Sequence, residues 1–442
     1  MCAERRSGVK PKLRTRGGMT HWKLWLATAG TLLLLPVLAG CSAETAPTTE
    51  TSPGSTTENG ASDSTTVTVN KPIEENEPAA SAGLDWPDFR NGVDLRGIAT
   101  SDLPDSLELL WEVPTPDGVT ATAAIVDGRV YLGVLHGDIL CLELDDGSEV
   151  WSYRSIESTD PDEFAPGFNA PATVTNTAVY IGDEDGVVHA VNRENGEKLW
   201  TFSTNGEIKG GVTPLSNNRV MVGSHDGYLY CLDAESGAEI WACETFGPVT
   251  GKQALDGQFT FVTGCDKPVL RVLDAEAGQQ ETEVPLGGLL IASPALLEDV
   301  LYFGTPDGEV IALAWQEQRT VWTWSDPRRG QEIHSTPAVT DELVLIGSGD
   351  KRLHAIDRET GEERWNFETR GAVDSSPVVV GNRVFFGSAD RTVYGVSIDD
   401  GTEVFRHVAG QRISASPAVG HHRLVIGTEG RDGRILCFGA KE

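Results

Sequence analysis

The chain has 442 residues and a formal charge of −31. The first 41 residues carry +6 and the rest −37, and a body that acidic repels phosphate backbones, which argues against nucleic acid as a partner. Seven cysteines occur without any C-x-x-C or adjacent pair, so the familiar zinc, thioredoxin-like and haem-attachment spacings are absent.

Residues 1–40 read as an export signal. "HWKLWLATAGTLLLLPVLAGC" has a basic start, a short apolar run broken by Pro36, and then Leu38-Ala39-Gly40-Cys41. The run is short for a spanning helix. The last four residues resemble a bacterial lipobox, in which Cys41 becomes the first mature residue and is lipidated. Several acyl chains anchor stably where one is marginal. Met1 or Met19 can serve as the start. Residues 41–84, "SAETAPTTETSPGSTTENG…" and onward, are rich in Ser, Thr, Glu and Pro with few large apolar residues. Such a segment cannot bury enough surface to order itself, so a tether reaching on the order of 35 Å is expected.

From about residue 85 a repeat takes over. Apolar-x-Gly positions recur at Gly133, Gly182, Gly223, Gly264, Gly304, Gly347, Gly387 and Gly427, at spacings of 49, 41, 41, 40, 43, 40 and 40. Each copy reads as a Pro-containing inner strand ("SPALL", "STPAV", "SSPVVV", "SASPAV"), a second strand ending at the Gly, a tight turn often containing Asp-Gly, a third strand, an acidic turn and a fourth strand. Asp185, Asp226 and Asp307 read as turn formers. Four short antiparallel strands at this period predict propeller blades.

The acidic turn places Gly four residues before an aromatic ring: "LELDDGSEVW" (Trp151), "VNRENGEKLW" (Trp200), "LDAESGAEIW" (Trp241) and "IDRETGEERW" (Trp365). Copy 5 keeps the spacing with Gln318 and Trp322, and copy 7 with Gly401 and Phe405. Copy 4 departs, with Gly278 followed by Thr282. A sheet of four strands cannot bury both faces alone, so these rings are expected to lie between consecutive blades as structural rivets, each covering about 150–250 Å². Copy 8 stops after its third strand, while "SLELLWEV" with Trp111 stands unassigned before copy 1. Strand 107–113 is therefore expected to complete the last blade, giving an all-β, eight-bladed propeller over 85–442 with no free sheet edge at the join. Cys141, Cys231 and Cys437 fall on equivalent strands and read as small core residues. Cys243 and Cys265 are left open as a pair.

The turn–Gly-x-x-x-Trp motif resembles the repeat of pyrroloquinoline-quinone-type propellers over about residues 85–440. "DWPDFRNGVDLRG" (85–97) is similar to the opening segment of envelope propellers in that group. The resemblance implies one of two branches: calcium-dependent quinoprotein dehydrogenases, which bind the quinone over the propeller axis, or lipoproteins similar to the propeller subunit of the outer-membrane β-barrel assembly machinery. The lipobox, the tether and the lack of a Cys-Cys pair or a legible calcium trio favour the second. The expectation is thus a monomeric, lipid-anchored scaffold on the periplasmic side of the outer membrane, binding envelope proteins, not an enzyme, with no cofactor and no metal. The alternatives are a quinone-dependent dehydrogenase with pyrroloquinoline quinone and calcium, or an envelope sensor or polysaccharide-binding lipoprotein.

Strand direction puts the starts of the inner strands and the blade-to-blade loops on one face. The residues expected there, on a channel rim, are Asn169, Lys209, Lys252, His334, Asp374 and Arg412. The one long connection, "RSIESTDPDEFAPGFNAP" (154–171), mixes acids with aromatic rings. Asp160, Asp162, Glu163, Phe164 and Phe168 are the candidate partner-docking residues.

Overall fold

The computed structural model describes residues 83–441 apart from 159, 161–162, 264–266, 287–288 and 327–329. The described residues form eight four-stranded antiparallel sheets. Seven are continuous in sequence: blades 1 to 7 span 124–154, 173–203, 213–244, 255–285, 295–325, 338–368 and 378–408. Blade 8 takes its three inner strands from 418–439 and its outer strand from Glu108–Pro114, which pairs antiparallel with Arg434–Gly439. Among the described residues no helix is long and apolar enough to cross a membrane.

Blade 3 shows why the sequence folds this way. Its strands are Thr213–Leu215, Arg219–Gly223, Tyr228–Asp233 and Glu239–Glu244. The second and third are apolar on both faces and buried throughout their middles, because each is covered by a neighbouring blade on either side. The fourth alternates exposed and half-buried residues, as an outer strand with one wet face should. Cys231 stands opposite Trp241, and the register slips between Cys231 and Leu232. The equivalent slip occurs beside the aromatic position of blades 1, 2, 5, 6 and 7. A bulge re-aims the side chain next to it, and here that side chain is the ring that faces the next blade. Cys141 and Cys437 likewise stand opposite Trp151 and Trp111, and burial pushes both thiols up to about 12.

The rivets cross from blade to blade with a fixed chemistry. The indole N–H of Trp111 donates to the Leu144 carbonyl (2.8 Å), Trp151 to Arg193 (3.0 Å), Trp200 to Ala234 (2.9 Å), Trp241 to Glu276 (3.1 Å), Trp322 to Arg358 (2.9 Å) and Trp365 to Ile398 (2.9 Å). Each acceptor lies in the acidic turn of the following blade. The glycine of that turn sits against the ring: a Cβ on Gly237 would come within 2.6 Å of Trp200, and one on Gly278 within 2.4 Å of Trp241. The glycine therefore supplies more than its positive φ; it is the seat of the preceding blade's tryptophan. Where blade 4 offers Thr282 in place of a ring, blade 5 has Gln318 in place of glycine, and the two side chains share one 3.1 Å hydrogen bond. Trp315 fills that seam from the other side, donating to Asp256 (3.1 Å) with its ring edge-on to Phe259 and Phe261.

The segment before the first blade runs through the axis. Backbone hydrogen bonds tie Leu84 to blade 8, Trp86 to blade 1, Pro87 to blade 2, Val93 to blade 4, Asp94 to blade 5, Arg96 to blade 6 and Gly97 to blade 7. To turn inside so narrow a ring, Arg90, Asn91 and Leu95 adopt φ of 74°, 59° and 57°. Arg90 is buried and donates to the carbonyls of Pro377 (2.7 Å) and Pro337 (2.8 Å), two of the inner-strand prolines. Burial lowers its pKa to about 9, with Asp94 acting in the opposite sense, so it remains a cation at neutral pH. The segment bonds the far ends of the inner strands and closes that end of the channel.

Candidate functional site

The open end of the axis is built from the starts of the inner strands. Thr122, Pro171, Gly211, Lys252, Ser293, Thr336, Ser376 and Ser416 line it, one from each blade. Hydroxyls stitch neighbouring blades together: Ser376 accepts from the Thr336 amide (3.0 Å) and Ser416 from the Ser376 amide (2.9 Å). Pro prevents the inner strands from offering an amide toward the axis at the next position. With small side chains on most walls and the leading segment below, a cup of about 180 Å³ remains, with Phe89 among the residues that line it.

Lys252 breaks the small-residue pattern. Its ammonium is fully buried and paired with Asp88 of the leading segment. Gly211 makes room for its stem, since a Cβ there would stand 3.3 Å from Lys252 Cδ. Asp88 also accepts the Gly92 amide (3.0 Å). The pair fixes the floor of the cup to the wall.

At the mouth, Asn169 gathers two carboxylates. Its amide nitrogen donates to Glu184 (2.8 Å) and Glu207 (3.4 Å), and its oxygen accepts from Thr120 (2.9 Å). Lys209 lies 3.3 Å and His225 3.7 Å from Glu207. Burial lowers the His225 pKa, helped by Lys209 and opposed by Glu207, so its ring is neutral at pH 7. His334 reaches Glu332 at 3.0 Å. Beside it, burial raises the Asp374 carboxyl while His334 and Arg412 pull it down.

Of the residues expected on the rim, Asn169, Lys209 and His334 line the cup together. Lys252 belongs to its buried wall, tied to the floor through Asp88, and not to the rim. Asp374 and Arg412 stand on the same face outside the lining, with Arg412 3.7 Å from Glu429. Sequence reasoning missed Asp88 and Phe89, which lie far from the blades that they complete, and Glu184 and Glu207, whose turns carry no spacing that sets them apart. In the long connection, Phe164 is 77% exposed and Asp160 and Glu163 are at the surface. Phe168 is fully buried, edge-on to His189 at 5.3 Å and packed over Gly133, so it is a core residue and not a docking one. Cys41, Asp162 and Cys265, with the signal and tether, lie outside the described residues.

Among the described residues no three His, Cys, Asp or Glu side chains converge as a metal ion alone would need. The nearest set of hard donors is mixed: the carboxylates of Glu184 and Glu207 with the amide of Asn169. Carboxylate and carbonyl oxygens are the donors that calcium takes; the two carboxylates fit a hard divalent cation, and the Asn169 carbonyl would join them only if its amide turned from Thr120, because its nitrogen now faces both. The cup beside it offers hydroxyls, the Lys209 ammonium and a phenyl ring, which fits a flat, carboxylate-bearing molecule.

A family model described as outer membrane protein assembly factor BamB matches residues 184–337 and 316–438. A protein of that description from Marinobacter adhaerens is 35% identical over 69 residues, 16% of this chain and 17% of the relative. Quinohemoprotein alcohol dehydrogenase ADH IIB of Pseudomonas putida is 34% identical over 83 residues, 17% of this chain and 12% of the relative. The matched parts are thus small fractions of those relatives' lengths. Among solved structures, BamB from Moraxella catarrhalis superposes with a TM-score of 0.62 at 20% identity, covering 76% of this chain and 98% of that one. Quinohemoprotein alcohol dehydrogenase from Comamonas testosteroni gives 0.69 at 14% identity, covering 82% of each. At these identities the structural likeness establishes the fold. The sequence matches also correct two expectations. The repeat is shared with named dehydrogenases as well as with BamB, so the expected lack of catalysis and the expected lack of a cofactor are both withdrawn.

Proposed function

The chain belongs to the pyrroloquinoline-quinone-repeat propeller family, whose matching model carries the BamB description, and from that premise we propose that its axial cup binds a quinone cofactor beside a divalent cation. The observation that carries this reading is the cup itself: single-mouthed, polar, on the axis, with Asn169, Glu184 and Glu207 clustered at its lip. Glu184 and Glu207 would hold the cation, joined by Asn169 with its carbonyl oxygen turned from Thr120 toward them. Lys209 and the wall hydroxyls would meet the quinone's carboxylates, and the closed floor would keep water from its lower face. Bound there, a quinone supplies a two-electron acceptor for substrate oxidation. The name of the Pseudomonas relative supports this reading.

The test is titration of the full chain with pyrroloquinoline quinone, with and without calcium, followed by visible absorbance and melting temperature. Saturable binding that raises the melting temperature, needs calcium and is lost in Asn169→Ala is expected. No saturable change with either addition would sink the reading.

A second reading concerns partners. The protein is inferred to be exported and held at the cell envelope through lipidated Cys41, which the lipobox supports. The connection 154–171, in which Phe164 stands 77% exposed beside Glu163, favours an envelope protein as its contact. Replacing 156–164 by a short turn should abolish recovery of any partner that co-purifies from membranes with the intact protein. Unchanged recovery would remove this loop from consideration.

A further inference from the structure

We propose that the seam between blades 3 and 4 binds an oxyanion, a carboxylate or phosphate group, held by Arg271 and Lys267. The site lies outside the axial cup and does not depend on what the cup takes up. It stands out against its equivalents. In blades 3, 6 and 7 the third residue of the third strand bonds a carboxylate four residues earlier, in the turn before it. Tyr230 bonds Asp226 (2.8 Å), His354 bonds Asp350 (3.1 Å) and Tyr394 bonds Asp390 (2.8 Å). A ring from the outer strand of the preceding blade, two residues after its rivet tryptophan, packs on each of these side chains. Phe202 lies 5.3 Å from Tyr230, Trp324 4.7 Å from His354 and Phe367 5.3 Å from Tyr394.

At the seam of blades 3 and 4 all three positions change together. Arg271 stands where the others have Tyr or His, Lys267 where they have Asp, and Cys243 where they have a ring. The Arg271 side chain is fully buried, yet among the described residues none of its guanidinium nitrogens has a hydrogen-bond acceptor. Glu283, itself half-exposed, comes no nearer than 3.5 Å to its Nε. A buried charge without hydrogen bonds is costly, and a planar guanidinium is shaped to take two oxygens of one carboxylate or phosphate. Such a group would stand where the other blades place their aspartate. Cys243 is smaller than the rings at its equivalent positions, so the seam lacks the side chain that fills it elsewhere. Phe246 reaches in from the connection after that strand, its centroid 5.2 Å from the Arg271 guanidinium carbon and 5.9 Å from the Lys267 ammonium. That ring is 50% exposed, and its rotation into solvent opens the guanidinium to the anion.

The test is titration calorimetry of the full chain with inorganic phosphate and with acetate, at an ionic strength held constant with chloride. Melting temperatures of the parent, Arg271→Met and Lys267→Asp accompany it. The parent should bind at least one of the two anions saturably, and the one bound more tightly names the source of the oxyanion. Arg271→Met should abolish binding. Lys267→Asp returns the carboxylate that the other blades carry, so it should melt above the parent and bind the anion at least about tenfold more weakly. This second variant decides the matter if Arg271→Met does not fold. No saturable heat with either anion in the parent would overturn the proposal, as would binding by a folded Lys267→Asp or Arg271→Met equal to the parent's. Neither result bears on the quinone reading of the cup.

Discussion

At the scale of single residues, the unit of cohesion is a pair that spans two blades: an indole, and the glycine on which it rests. A valine at Gly237 would need to occupy space within 2.6 Å of Trp200 at a φ of 71°. Gly237→Val and Trp200→Ala should each destabilise the protein by about 3–5 kcal/mol in urea unfolding. The double variant should cost clearly less than their sum, because both remove one contact. Gln318 is the internal control: with no ring to seat, Gln318→Gly should change stability by less than about 1 kcal/mol. The tryptophans and their spacing from glycine were legible, since both lie within ten residues of sequence. The seat was not, because each glycine serves the ring of the preceding copy, about one repeat earlier. The departures at Thr282 and Gln318 are the signal that could have revealed it: both members of one pair change together.

At the scale of elements, the leading segment 84–99 decides what the propeller's axis can do. Its Asp88–Lys252 pair is buried on both sides, with side-chain exposures of 5% and 0%. Removing one partner of such a pair leaves an uncompensated charge, so Asp88→Asn should cost about 3–5 kcal/mol, and a concurrent Lys252→Met should restore most of it. Thermal and urea unfolding of the three variants would show this; a cost for Asp88→Asn below about 1 kcal/mol would contradict the pairing. Lys252 was expected on a wet rim because strand direction puts it at the start of an inner strand, with the other starts and the blade-to-blade loops. The sequence did carry a hint in "KGGVT", where Gly211 leaves space for the Lys252 stem and Gly210 for the backbone beside it. Phe168 was likewise assigned to the surface by its place in a long loop, whereas its burial depends on Gly133, outside that loop.

At the scale of the whole molecule, the period near forty residues was enough to read the ring, the blade count and the strand that completes it. Observed closure by Glu108–Pro114 agrees with the expected 107–113 to within a residue. What the period could not show is which end of the axis stays open, since that depends on sixteen residues outside the repeat. Nor could it show activity, because the repeat encodes packing between sheets and is common to relatives with different named roles.

The closing sheet has a consequence in time. Its outer strand leaves the ribosome before any blade exists, and its three companions follow only after the seven intervening blades. At about 5–20 residues per second, that strand waits on the order of tens of seconds for its partners. Until those three strands emerge, every nascent chain is an open fan with a bare margin at each side, so premature termination anywhere upstream yields a product that chaperones or proteases must handle.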